Sequence, residues 1–326
     1  MMPMKRVPPF RSASKGSPIA CSYAPPGEYI KDHTLIFHDG WWHLFSISGT
    51  EGYYHAFTGN EETISWSISR DLVHWEMRGH VLHASQRAGA FDQHEVWAPF
   101  CVRHDGRFYL FYTGVIHPHR PLSYEKPRRD HVWIYEGHRE TLGVAVSEDL
   151  TDWVKVSDVA RGIGIPGRDP HVVRDDAENM WLLYATGPGT NDGLHQVFVA
   201  RSQDLLEWRF EGTCAIFPSL ENHGNGNNES LCVMRHPLDG DWIMMANWQF
   251  VKSADPHTFL RGEVQPYDCL ADGVDIGLAG EMIEWQGKWY RSGFFGGGNN
   301  ATRLGFTEIE WVAGGAFRVV CPGVMA

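Results

Sequence analysis

No stretch of this 326-residue chain approaches the run of about 18 apolar residues that a membrane-spanning helix requires. Positive charge is scarce. Against 40 Asp and Glu stand 28 Lys and Arg, a formal net charge of −12, which argues against a nucleic-acid partner because phosphate binding needs a basic face. Six cysteines (Cys21, Cys101, Cys214, Cys232, Cys269 and Cys321) show no Cys-x-x-Cys spacing and read as reduced thiols. The 18 histidines contain no His-Glu-x-x-His, and His33, His55, His171, His223 and His257 are dispersed. No metal and no cofactor is therefore expected. Residues from Met1 to about Gly27 are rich in Pro, Ser and basic side chains and lack an apolar core. They read as an extension strapped across the fold and not as a signal peptide, so a cytoplasmic location is expected. Long helical periodicity is missing too, with a turn of helix expected at most over Asp255 to Arg261.

What is present is β-structure. Fourteen Trp and 13% aromatic residues suit sheet packing or a sugar-binding surface. One phrase, an acidic or Ala-Pro start followed by a strand, a turn and a returning strand, is written five times. It begins at Asp32, Ala98, Asp169, Glu229 and Glu281. The turns carry Asp39-Gly40, Asp105-Gly106, Asp175 to Asn179, Asp239-Gly240 and Gln286-Gly287. Asp-Gly between alternating apolar runs is the strongest short hairpin signal. A second phrase, Ser-x-Asp-Leu-x-x-Trp, recurs at Ser69–Trp75, Ser147–Trp153 and Ser202–Trp208. Each copy links two further strands. Units of four strands repeated five times predict an all-β, five-bladed β-propeller over residues 28–326, behind the 1–27 extension.

These hairpins and turns, with Val96-Trp97-Ala98-Pro99 and Arg168-Asp169-Pro170, resemble the five-bladed propeller glycoside hydrolases of families 32, 43 and 68 over roughly residues 28 to 320. The resemblance implies a glycosidase acting on furanosides, foremost β-fructofuranosides. Its alternatives are an inverting arabinofuranosidase or arabinanase, a glycosyl-transferring enzyme or phosphorylase, and a non-catalytic sugar-binding propeller. Departures are visible: His33 follows Asp32 where the families show Pro, Ser230 follows Glu229 where family 32 shows Cys, and the chain ends near the fifth blade.

Glycoside hydrolysis needs one carboxylic acid to protonate the leaving oxygen and one carboxylate to attack or to activate water. In a propeller the first residues of the innermost strands ring the channel. Asp32, Asp169 and Glu229 hold that position in blades 1, 3 and 4. The resemblance implies nucleophile or base for Asp32, transition-state stabiliser for Asp169 and general acid for Glu229. Arg168 is expected to bind sugar hydroxyls or orient a carboxylate. Trp97 either stacks on a sugar face or packs in the core. Glu95 and His94 beside it are reserve candidates for hydroxyl binding or acid chemistry, and Glu281 is a lesser one. Asn228 either reaches the sugar or, with Asn227, serves the turn. Lys126, Arg128 and Arg129 form a basic cluster suited to phosphate or simply to solvent. The expected partner is a carbohydrate substrate, with no membrane and no signal for an oligomeric state.

Overall fold

The computed structural model describes residues 21–52, 60–117, 138–189, 194–219, 228–270, 273–296 and 301–320. Its strands form five four-stranded antiparallel sheets, each built from consecutive strands. Blade 1 is β1 (Glu28–His38), β2 (Trp41–Thr50), β3 (Thr63–Ser69) and β4 (Trp75–His83). Blade 2 is β5 (Glu95–His104), β6 (Arg107–Ile116), β7 (Arg139–Ser147) and β8 (Val154–Lys155). Blade 3 is β9 (Arg168–Asp175), β10 (Met180–Gly189), β11 (Leu194–Ser202) and β12 (Arg209–Pro218). Blade 4 is β13 (Cys232–Arg235), β14 (Trp242–Met245), β15 (Gln249–Ser253) and β16 (Gln265–Pro266). Blade 5 is β17 (Met282–Trp285), β18 (Lys288–Phe295), β19 (Arg303–Trp311) and β20 (Phe317–Val319). The predicted five-bladed propeller is the fold. No described helix is long and apolar enough to cross a membrane.

Turn chemistry explains the blades. Asp39-Gly40, Asp105-Gly106 and Gln286-Gly287 all have positive φ at both residues, from 46° to 80°, as a type I′ hairpin requires. The Ser-x-Asp-Leu-x-x-Trp phrase folds the same way three times. The Ser hydroxyl oxygen accepts the N–H of Leu72, Leu150 or Leu205 at 2.9–3.0 Å. The Trp indole then donates to that Leu carbonyl at 3.1 Å in every copy. Residues Asp255 to Arg261 form turns, not the expected helical one. They belong to a degenerate fourth copy, Ser253-Ala254-Asp255-Pro256-His257-Thr258-Phe259. Ser253 Oγ accepts the Asp255 N–H at 3.1 Å, and Asp255 Oδ1 accepts the His257 N–H at 2.9 Å. The one helical element among the described residues is a 3₁₀ turn at Asp268–Leu270.

Apolar side chains fill the gap between each pair of neighbouring blades. Phe45 and Ile64 meet Leu110, Phe111 and Leu142 meet Leu183, and Val197 meets Met244. Ile243 meets Phe317, and Leu44 meets Phe306 across the junction that closes the ring. At this last junction Tyr23 exchanges main-chain hydrogen bonds with Leu304 at 3.1 and 2.7 Å, and Thr302 Oγ1 donates to the Ile30 carbonyl. The described part of the N-terminal extension thus lies along blade 5 before the chain enters blade 1. The five described cysteines are free.

Candidate active site

The inner strands β1, β5 and β9 each carry a register shift near the channel, around Asp32, Ala98-Pro99 and Asp169-Pro170. Bulges of this kind re-aim a side chain out of the alternating pleat. Ala98, Asp169, Ser230 and Ala279 all stand at φ between 44° and 57°, a left-handed conformation costly for residues with a Cβ. The strain recurs in four blades, where the chain turns into the inner strand. Pro99 and Pro170 follow two of these positions and need no main-chain donor partner. A single cavity takes its lining from every blade: Asp32-His33, Ala98 to Phe100, Asp169-Pro170, Ser230-Leu231 and Ala279 to Glu281.

Ser230 joins the first two carboxylates. Its hydroxyl donates to Asp32 Oδ1 at 2.6 Å and its N–H donates to Asp169 Oδ2 at 3.1 Å. Arg168 joins the second to the third. Its Nη2 and Nε donate to Glu229 Oε2 at 2.7 and 3.1 Å, and Nε lies 3.5 Å from Asp169 Oδ2. The far side of the guanidinium donates to Glu140 Oε2 at 3.3 Å, and Glu140 Oε1 meets His138 Nε2 at 3.2 Å. Asp169 donates its own N–H to Thr113 Oγ1 at 3.1 Å. Glu229 is more open than Asp169 and Arg168, with its side chain 34% exposed against 8% and 18%.

Burial dominates the electrostatics. It lifts the Asp32 carboxyl to about 6, with the Glu229 charge adding to the rise and the Ser230 hydrogen bond opposing it. Asp169 is raised well above the usual carboxylate range, again by burial first, while Arg168 pulls it back. The three carboxylates around Arg168 outweigh its own burial and hold it firmly charged. His33, buried and bonded through Nε2 to Ser292 Oγ at 2.9 Å, is pushed down to about 4 by burial. It is a neutral link between blades 1 and 5.

Asp32, Asp169, Glu229 and Arg168 therefore come together, from blades 1, 3 and 4. Of the other candidates, Glu281 lines the same cavity and the rest stand elsewhere. Trp97 packs against the core between blades 1 and 2, and its neighbours Ala98 to Phe100 line the cavity instead. Glu95 is fully buried and meets His117 Nε2 at 2.9 Å. His94, equally buried, accepts the His117 N–H at 3.0 Å. Asn228 is buried and donates to the Pro218 carbonyl at 2.7 Å, fastening the chain end of blade 3 to the start of blade 4. Asn227, Lys126, Arg128 and Arg129 lie outside the described residues. Four cluster residues escape the sequence reading or are undervalued by it: Ser230, Glu140, Thr113 and Glu281. Glu281 lines the cavity, accepts the Leu35 N–H at 2.8 Å, and is driven by burial to about 8.

The fold is thus a five-bladed propeller whose channel draws acids from three blades. The chain belongs to the glycosyl hydrolases of family 43, whose family model matches residues 43–246. Among curated proteins it is 27% identical over 244 residues to a probable sucrose-6-phosphate hydrolase of Vibrio cholerae. That match covers 72% of this chain and 38% of the relative. It is 28% identical over 232 residues to the sucrose-6-phosphate hydrolase of Bacillus subtilis, covering 66% of this chain and 43% of that one. The chain thus matches about two-fifths of the length of these relatives. Among solved structures, a thermostable family-43 glycoside hydrolase superposes with a TM-score of 0.67 at 15% identity, covering 94% of this chain and 96% of that one. A GH32 β-fructofuranosidase of Bombyx mori superposes at 0.62 with 17% identity, over 93% and 64% respectively. A GH43_1 enzyme of Xanthomonas citri complexed with xylose superposes at 0.63 with 17% identity, over 91% and 93%.

Proposed function

We propose that the protein hydrolyses furanosides, with β-fructofuranosides as its substrate class and Asp32, Asp169 and Glu229 as the working carboxylates. The observation that carries this reading is the continuous chain of contacts Asp32–Ser230–Asp169 and Asp169–Arg168–Glu229 beside a cavity at the blade mouths. The names of the curated relatives support the fructoside assignment. In this mechanism Glu229 gives its proton to the glycosidic oxygen while an Asp32 oxygen attacks the anomeric carbon. The C–O bond breaks, the leaving alcohol departs, and a glycosyl ester remains on Asp32. Glu229, now a carboxylate, takes a proton from water, whose oxygen releases the sugar and regenerates Asp32. Asp169 holds sugar hydroxyls, and Arg168 positions Glu229 for both proton transfers.

The family-43 match favours a second reading, an inverting arabinofuranosidase-type or xylosidase-type enzyme in which Asp32 activates water. Turnover of sucrose, fructans and aryl arabinofuranosides and xylosides, without added phosphate, separates the substrate classes and also tests a phosphorylase. NMR of the first-formed anomer separates the mechanisms. A retained anomer and azide rescue of Asp32→Ala as a glycosyl azide support the nucleophile; an inverted anomer makes Asp32 a base. No turnover on any of these glycosides overturns the proposal.

A further inference from the structure

At the far end of β9 from the channel, the hairpin turn of blade 3 faces the degenerate Ser-x-Asp turn of blade 4. Asp175 closes β9, Glu178 lies in the hairpin turn, and His257 sits in the blade-4 turn. One ligand-competent atom from each of the three lies within 4.8 Å of the others. His257 Nε2 stands 3.5 Å from Asp175 Oδ2 and 3.5 Å from Glu178 Oε2. These are poor hydrogen bonds, since N–H···O distances cluster at ~2.7–3.2 Å, and Nε2 is sealed from solvent without a hydrogen-bond partner. Asp175 is only 3% exposed. Its Oδ1 accepts the Ala177 N–H at 3.1 Å, whereas Oδ2, the oxygen toward His257, receives no hydrogen bond from a described residue.

A sealed ring nitrogen with no hydrogen-bond partner, facing the carboxylate of a buried Asp175, calls for a third party. The two His257–carboxylate spacings suit a cation. Ligands ~2.0–2.2 Å from a tetrahedral ion stand ~3.3–3.6 Å apart. A supporting layer lies behind the histidine: Nδ1 faces Glu211 Oε2 at 3.5 Å, and Glu211 Oε1 is held by Arg201 at 2.8 Å and Arg209 at 3.2 Å. Metal-bound histidines are set in one tautomer by a carboxylate in that place.

We propose that Asp175, Glu178 and His257 bind a divalent transition-metal ion of the zinc type. One imidazole with two carboxylates selects that class over Ca²⁺ and Mg²⁺, which take six or more oxygens. The imidazole binds neutral, its Nε2 lone pair on the ion and its proton on Nδ1 toward Glu211. The fourth position opens to water beside Glu178, whose side chain is 52% exposed. Six residue steps along β9 separate Asp175 from Asp169, ~20 Å at ~3.3 Å per residue. The ion therefore stands apart from the reaction and rivets blade 3 to blade 4.

The competing account is a protonated His257 caged by three carboxylates, which binds no metal. Calorimetric titration of the full chain with Zn²⁺ after EDTA dialysis, with Ca²⁺ in parallel, separates the two. We expect Zn²⁺ binding that loses one equivalent in His257→Ala and in Glu178→Gln. Glu178 is half-exposed, so its variant keeps the fold. Glu211→Gln should weaken that equivalent ~10–100-fold, and Zn²⁺ should raise the melting temperature of the parent chain but of neither ligand variant. Because other histidines also attract Zn²⁺, His74→Ala, whose side chain is 86% exposed, serves as the control and should keep the tight equivalent. No Zn²⁺ binding, or the same stoichiometry and melting shift in parent, Glu178→Gln and His257→Ala, overturns the proposal.

Discussion

Ser230 holds Asp32 in place: its hydroxyl donates to Asp32 Oδ1 at 2.6 Å across 198 residues of chain, while its N–H reaches Asp169. The bond favours the ionised form of Asp32 and opposes the burial that lifts it to about 6. Ser230→Ala should therefore raise that value and move the acid limb of the kcat/KM profile to higher pH. A loss of ~10-fold near neutral pH is expected, with the amide bond to Asp169 preserved. An acid limb left in place by the substitution removes Asp32 as the group that must be ionised.

Glu229 is more open than Asp169. Under the proposed general-acid role, Glu229→Gln should cost ~10²–10⁴-fold in kcat on a substrate with a poor leaving group. An activated aryl glycoside needs little protonation and should lose far less. Parallel steady-state measurements on the two substrates decide the matter, and equal losses reassign Glu229 to binding.

Glu281 links pH to stability. Burial raises its carboxyl from an ordinary 4.5 to about 8, so between those values the folded protein keeps a proton that the unfolded chain releases. Stability contributed by this group falls as pH rises through that window. Glu281→Gln stays neutral throughout and should melt several degrees higher than the parent at pH 9, each kcal/mol being worth ~2–4 °C. Below pH 4.5 the two should melt together. Calorimetry at the two pH values measures the difference.

Trp208 anchors the third Ser-x-Asp turn. Its indole donates to the Leu205 carbonyl and its ring stands edge-on to Phe111 of blade 2 at 5.6 Å. Trp208→Ala should cost about 2–4 kcal/mol, a little under the range for fully buried aromatics. Urea unfolding measures it, and activity at 25 °C should survive.

The blades were legible because period-2 alternation and Asp-Gly turns are local signals. Asp32, Asp169 and Glu229 stood out because a carboxylate at a strand mouth, repeated, is hard to explain by capping alone. Ser230 was not legible: a Ser after a Glu reads as ordinary turn chemistry until the fold brings blade 1 against it. Glu140 lies near the start of β7, where a strand Glu reads as surface. The rise at Glu281 depends on burial, which has no sequence signature. The sequence left Trp97 open between sugar stacking and the core, because only the register shift after it, which presents Ala98 to Phe100 to the cavity, decides its side. The fourth Ser-x-Asp turn was hidden because Pro256 and Phe259 replace its Leu and Trp.

Among the described residues no strand is shared between the first and last blades; the short segment from Tyr23 to Glu28 spans that gap by gripping Leu304 on one side and leading into β1 on the other. That tether works beside the Ile30–Thr302, His33–Ser292 and Leu35–Glu281 bonds, which join the same two blades directly. A proteolytic nick at Pro25-Pro26-Gly27 would leave every blade folded and those bonds in place, yet loosen blade 1 against blade 5. Asp32 would then slip out of register with Ser230, and inactivation would run ahead of any loss of β-structure.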